Sequence, residues 1–228
     1  MKIVDDIHAI EGKGFDSNMY LIVNEKKEFA LVDTGHDGNR RYLIKYIESA
    51  GLKPENMTHI VLTHVHIDHS GGLASLVKKH SPKVCVYEGG ADYIEKGDLT
   101  NTLAGMFIGF FDATPVDIRL SEQEPFTFGQ YSFRIINTPG HTTNSICLYE
   151  EKHKILISGD TVFADGSIGR MDFPSGSVQE MIKSTEMLTT LDVEILLPGH
   201  MRWVTSDANT HLKRSAQYAK AVSSFSMF

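Results

Sequence analysis

His64, His66, Asp68 and His69 stand within six residues, in the stretch HVHIDHSGG at 64–72, directly after the apolar run HIVLT. The chain has eleven histidines, and three of them lie here. Side chains two apart on extended backbone point to the same side, so His64 and His66 can grip one ion. Asp68 and His69 follow where the chain begins to turn into a helix, so they aim elsewhere, at a second ion. Imidazoles with carboxylates suit zinc, manganese or iron, and no thiolate is offered. A lone histidine at a strand end is ordinarily solvated or satisfied by a neighbour; the joint pattern is what points to metal.

Further donors follow from where the apolar runs stop. FALVD ends at Asp33, HIVLTH at His64, RIINTPGH at His141, ILISGD at Asp160 and EILLPGH at His200. Tight turns at strand ends hold side chains on a rigid edge, where sites form. If these ends share one edge, His141, Asp160 and His200 complete the coordination, with Asp160 the best candidate to bridge two ions. Ions roughly 3.5–4 Å apart can share a hydroxide and polarise the bond it attacks. Asp33 reads equally as a turn-stabilising carboxylate or as the partner of a metal-bound histidine. His8, His36, His59, His80, His153 and His211 lack such a context and read as surface or core.

The elements that must position these residues alternate between strand and helix. Residues 18–24 and 28–35 read as paired strands, 40–51 as a helix stopped by Gly51, and THIVLTH as a strand. GGLASLVKKH reads as a helix that Ser70 can cap, and KVCVYE as a strand. Hairpins are expected around Gly129 and around residues 151–153, then a helix at 177–191, a strand at VEILLPGH and a helix at 206–222 capped by Ser206. The stretch 93–118 reads as an insertion with a helix rich in Met and Phe. There Met106, Phe107, Phe110 and Phe111 are candidates to line a substrate pocket, to join subunits into a homo-oligomer through residues 103–111, or simply to pack.

Composition bounds the rest. At 228 residues the chain suits one large domain spanning 1–228. A net charge of −7 and a pI near 5.9 leave no electrostatic footprint for nucleic acid or anionic membranes, so a small-molecule substrate is expected. The opening MKIVDDIHAI carries acids where a signal peptide needs an apolar core, and the longest apolar run, GMFIGFF, is too short to span a bilayer. Cys85 and Cys147 read as buried small hydrophobes, and a cytoplasmic location is the expectation.

THVHIDHSGG, NTPGHTTNSICLY, LISGDTVFADGSIGRMDFP and LLPGH resemble the motif series of the metallo-β-lactamase-fold hydrolases. Among these, the chain is similar to the glyoxalase II-like (hydroxyacylglutathione hydrolase-like) members, from about residue 3 to residue 203. The resemblance implies an α/β chain folded as an αββα four-layer sandwich, with two central, mostly antiparallel sheets and helices outside. It implies two divalent metal ions, zinc first, with iron or manganese as alternatives. His64, His66 and His141 would bind one ion, Asp68, His69 and His200 the other, with Asp160 bridging and Asp33 supporting the ligands. A bridging hydroxide would attack an ester or thioester carbonyl, with Asp68 as the catalytic residue that orients it.

The pattern departs from glyoxalase II in two places. Those enzymes carry a GKFY-type segment where this chain reads GRMDF, so Arg170 takes the place of the Lys and Asp172 that of the Tyr. Arg170 is a candidate partner for a substrate carboxylate or phosphate, or for Asp172 or Asp165. The 28 residues after His200 leave room for about one helix, where glyoxalase II has a helical domain that helps hold glutathione. The same motifs suit a lactonase. They also suit a persulfide dioxygenase, which shares a GR-x-DF stretch and would bind a single iron through His64, His141 and Asp160. A tRNA-processing nuclease fits the histidine motif, but the acidic charge argues against it.

Overall fold

Short turns join the first four strands, and helical crossovers join the next three. A computed structural model describes residues 1–225, and the chain divides into two compact units: residues 1–121 with 126–132, and residues 122–125 with 133 onward. In the first unit β1 (Lys2–Val4), β2 (Ile7–Ile10), β3 (Met19–Val23), β4 (Phe29–Val32), β5 (Met57–Leu62), β6 (Lys83–Tyr87) and β7 (Ile118–Leu120) lie in chain order in one sheet. β1 to β4 pair antiparallel; β4 to β7 pair parallel. This sheet is therefore mixed and not mostly antiparallel. The cause is connection length: a tight turn reverses the chain, whereas a crossover helix returns it to its original direction. Those crossovers carry α1 (Arg40–Ser49), the single turn α2 (Ile67–Ser70), α3 (Leu73–His80), α4 (Glu88–Lys96) and the single turn α5 (Ala104–Phe107).

Alternate strand residues, among them Leu21, Leu31, Leu62 and Val84, cluster with Leu43 and Ile47 of α1, Leu73 and Leu76 of α3, and Ile94 of α4. The intervening residues Tyr20, Ile22, Ala30, Val32 and Val61 are also fully buried. Strands buried on both faces have no polar side to alternate with, which is why FALV is a continuous apolar run. Removing a side chain such as Leu31 from this packing would cost about 2–5 kcal/mol.

The second sheet runs in the order β12-β11-β10-β9-β8, with β8 (Phe126–Phe128), β9 (Tyr131–Asn137), β10 (Ile146–Glu150), β11 (Ile155–Gly159) and β12 (Ile195–Pro198). β9 to β11 pair antiparallel across short turns. β11 and β12 pair parallel because α6 (Val178–Leu188) lies between them, its first turn capped by the Ser177 side chain. The last helix, α7 (Ala208–Phe225), packs beside α6, and Leu188, Leu212, Tyr149 and Leu196 share one core. Cys147 lies in that core and Cys85 in β6; both are free thiols, pushed by burial up to about 11 and about 12.

Three local expectations change. Ser70 does not cap α3: it already sits in α2, where its hydroxyl donates to the carbonyls of Val65 and His66, and Gly72 precedes α3 instead. α7 starts after Asp207, whose Oδ1 accepts from the Thr210 hydroxyl, so the boundary is one residue beyond Ser206. Residues 93–118 hold the end of α4 and the one turn of α5, and are otherwise irregular up to β7. Among the described residues no helix is long and apolar enough to cross a membrane.

The strand directions place the donors. β4 and β5 are parallel, so Asp33 and His64 leave the same end of the first sheet. In the second, β9, β11 and β12 all run one way, so His141, Asp160 and His200 leave a shared end.

His59 of β5 sits edge-on to Phe126 and Phe128, with ring centroids 5.9 and 5.6 Å away, and burial pushes its pKa down. A histidine whose folded pKa is depressed contributes fully above its unfolded pKa of about 6.5 and loses that contribution as the pH falls through the folded value. His59→Gln should therefore flatten the loss of stability between pH 7 and 5. Urea unfolding midpoints across that range would show it, and an unchanged slope would refute it.

Candidate metal centre

Asp33 follows β4 in left-handed backbone, φ +59°, and is 1% exposed. Its Oδ1 accepts from the backbone N–H of Thr63 at 2.8 Å, and its Oδ2 accepts from the Thr63 hydroxyl, also at 2.8 Å. The same Oδ2 lies 2.8 Å from Nδ1 of His69. A carboxylate on Nδ1 takes the N–H of that nitrogen and leaves Nε2 with a lone pair, the form in which a histidine ligates a metal. Both readings of Asp33 have a contact behind them, the turn through Thr63 and the candidate ligand through His69.

The stretch around His69 is folded by its own sequence. His66 is extended (φ −60°, ψ 149°), and its carbonyl then accepts from the N–H groups of His69 and Ser70, closing α2. This turn brings His69 back beside His64, whereas the spacing suggests that Asp68 and His69 aim away from His64 and His66. The rings of His64 and His66 lie 4.7 Å apart, and those of His64 and His69 4.0 Å. The two glycines have a packing reason. A Cβ on Gly71 would stand 2.5 Å from the Ile67 carbonyl oxygen, and one on Gly72 3.0 Å from that of Thr34. Thr34 ties the turn down, its N–H and hydroxyl both donating to the His69 carbonyl.

In the second unit Asp160 directly follows β11, and its Oδ2 lies 3.6 Å from His141 Nε2 and 3.5 Å from His200 Nε2. His141 Nδ1 lies 2.5 Å from the backbone carbonyl of Arg170, which fixes the ring with Nε2 toward Asp160. Gly169 makes that approach feasible, since a Cβ there would fall 2.0 Å from the Asp160 carbonyl oxygen. Gly140, at φ +148°, likewise passes where a Cβ would meet Met181 Cα at 2.5 Å.

These distances and donor types fit a divalent ion. Ligand bonds of about 2.0–2.1 Å in tetrahedral geometry set neighbouring ligand atoms about 3.4 Å apart. The Nε2 to Oδ2 separations around Asp160 are close to that and longer than the hydrogen bonds around Asp33. The Nε2 atoms of His64, His66 and His69 are all buried, and clusters of His and Asp donors here could hold a metal ion.

Not every expected residue joins them. The Arg170 guanidinium is forked onto Asp172, Nε to Oδ1 at 2.9 Å and Nη2 to Oδ2 at 2.6 Å, and lies over the Phe173 ring at 4.3 Å. That pairing holds the Asp172 carboxyl below its usual range. Met106, Phe107 and Phe110 are exposed, whereas Phe111 packs against the core of the first unit. Thr63, whose hydroxyl also lies 3.2 Å from His64 Nδ1, was not among the expected site residues, and Arg170, expected through its side chain, contributes through its main-chain carbonyl. Thr63 stands between Asp33's strand partner and the first ligand, a position that could have flagged it.

An α/β chain with two mixed sheets, helices and grouped His and Asp donors for a divalent metal is built as a metal-dependent hydrolase. It belongs to the metallo-beta-lactamase superfamily, whose family model matches residues 12–200. The chain is 29% identical to the hydroxyacylglutathione hydrolase GloC of Haemophilus influenzae, over 88% of this chain and 92% of that protein. It is 31% identical to the acyl-coenzyme A thioesterase MBLAC2 of Gallus gallus, over 82% and 73%. Among solved structures, that of TTHA1623 in a di-iron-bound form is similar with a TM-score of 0.74 and 25% identity, over 92% of this chain and 99% of that one.

Asp33→Asn keeps a residue that tolerates left-handed backbone but removes the carboxylate. It should fold and weaken divalent-metal affinity about 10–100-fold, as losing the orienting partner of a ligand does. Asp33→Ala strands the Thr63 N–H and should cost about 1–3 kcal/mol or more in stability. Competition with a chelating dye and urea unfolding would measure the two; wild-type affinity in the Asn variant would refute the assigned role.

Proposed function

We propose that the chain is a glyoxalase II-like thioester hydrolase working through a dinuclear centre, with zinc as the first expectation for both ions. In this reading His64, His66 and His141 hold one ion, Asp68, His69 and His200 the other, and Asp160 bridges them. The chain then acts as one catalytic domain. The observation that carries it is the grouping of donors. The first unit gathers His64, His66, Asp68 and His69 in one turn, and in the second Asp160 Oδ2 lies 3.6 and 3.5 Å from Nε2 of His141 and His200. A mononuclear iron site needs only three donors, so seven favour the hydrolase over a persulfide dioxygenase.

Bound ions would supply a water ionised near neutral pH and polarise the carbonyl under attack. The chain's own residues do the rest. Asp33 and the Arg170 carbonyl hold His69 and His141 with Nε2 presented. Asp68 keeps its side chain 21% exposed, with Oδ2 3.7 Å from His69 Nε2, and so can orient the attacking water and take its proton. Arg170, satisfied by Asp172, serves the loop that carries its carbonyl and not the substrate. Two relatives named for thioester hydrolysis support a thioester over a lactone or a β-lactam.

Protein purified without added metal should carry about two equivalents of divalent metal by elemental mass spectrometry, and a chelator should abolish thioester cleavage. Asp68→Ala removes a proposed ligand of the second ion, so it should lower kcat about 10²–10⁴-fold and weaken retention of the second equivalent of metal. One equivalent of iron together with oxygen uptake on a persulfide would overturn the proposal.

A further inference from the structure

We propose that the first unit carries a groove for the thiol carrier of the substrate, built for one that bears phosphate groups and a planar ring system and not for a small tripeptide thiol. This rests on the thioester reading above. The groove is a cavity of about 1080 Å³ that nothing in the metal centre uses, yet one of its walls is Ile67, Ser70 and Gly71, residues interleaved with His66, Asp68 and His69. A molecule lying in it leads away from the ligand turn. Its size is at the top of the roughly 300–1,000 Å³ that small-molecule sites occupy, more than a short acyl group fills.

The groove's lining has two kinds of chemistry. From α3 it takes the small side chains of Ala74 and Ser75, and Lys78 and Lys79 one turn later. Both lysines are exposed, and among the described residues neither has an ion-pair partner. Arg40, also in the lining, is held by Asp37 at 2.8 Å, and that carboxylate also accepts from the Ser75 hydroxyl. Asp112 is the remaining acid on the wall, so three cations face two carboxylates in a chain of net charge −7. Two unpaired ammonium groups meet phosphate oxygens well, and Lys binds phosphate as a point charge.

The second kind is aromatic and exposed. Phe110 lines the groove and is 64% exposed, with Met106 at 63% and Phe107 at 53% beside it in sequence. Phe15, 62% exposed, stacks on Phe107 with centroids 6.4 Å apart and meets His36, another lining residue, at 6.1 Å. A cluster of large exposed apolar side chains on one patch marks a binding surface, and flat rings are its natural cover. An acyl chain alone has no use for the lysines, and glutathione has no ring for the aromatic patch. A phosphorylated nucleotide carrier suits both the lysines and the aromatic residues.

Isothermal titration of the metal-loaded full chain with coenzyme A, which holds no thioester to cleave, tests this directly. The wild type should bind, and the double variant Lys78→Glu with Lys79→Glu should bind about tenfold or more weakly, about 1.4 kcal/mol or more. Phe110→Ala should also weaken binding, and its exposure makes a folding defect irrelevant. In turnover, the lysine variant should raise KM for an acyl-coenzyme A and leave kcat unchanged, with no effect on the same acyl group carried by glutathione. Absence of coenzyme A binding, or equal binding by the wild type and the charge-reversed variant, would overturn the groove. Lysine-dependent binding in a protein that cleaves no thioester would uphold the groove and refute the hydrolase reading.

Discussion

The orientation of the His69 ring, within the turn at 64–72, depends on the carboxylate of Asp33. That residue holds a backbone conformation costing an ordinary side chain about 1–2 kcal/mol, and it is fully buried. Both costs are offset by hydrogen bonds to Thr63 and His69, one of them from a backbone N–H that has lost its place in the strand ladder. A buried carboxylate with three donors around it is fixed in place, so it can orient an imidazole. The orientation of the His69 ring is therefore set by Asp33, while the His66 carbonyl and Thr34 hold the turn.

The second half of the donor set is held differently. His141 is oriented by a main-chain carbonyl whose approach requires Gly169 to lack a side chain, so the device is backbone against ring. His69 is held by charge, His141 by shape. Both devices hang from strand ends, and strand ends are what the alternating turns and crossovers align in each sheet.

Much of this was legible in the residues themselves. Four of the candidate donors, His64, His141, Asp160 and His200, follow apolar runs that form strands, and His66, Asp68 and His69 stand in the turn after His64. The directions of the strands in the first sheet were less legible, because an apolar run is the same read either way, and only the helices between β4 and β7 make those pairs parallel. The helix expected in 93–118 shrinks to one turn. Its Met and Phe residues suggested length, but Leu103 enters left-handed backbone ahead of it, and Gly109, at φ +82°, follows it. Arg170 was read through its guanidinium, the group that sequence advertises, whereas its contribution to the centre is a carbonyl that every residue possesses. Asp172, two residues on, was the visible clue that the side chain was already engaged.

The two cysteines, each sealed in a core and held far above neutral pKa, bear on the chemistry by staying out of it. Hydrolysis of a thioester releases a thiol beside a metal centre, and a protein thiolate nearby could trade acyl groups with the substrate or form mixed disulfides with the product. With both cysteines buried and held protonated, the chain offers no thiolate for either reaction if its substrate is a thioester.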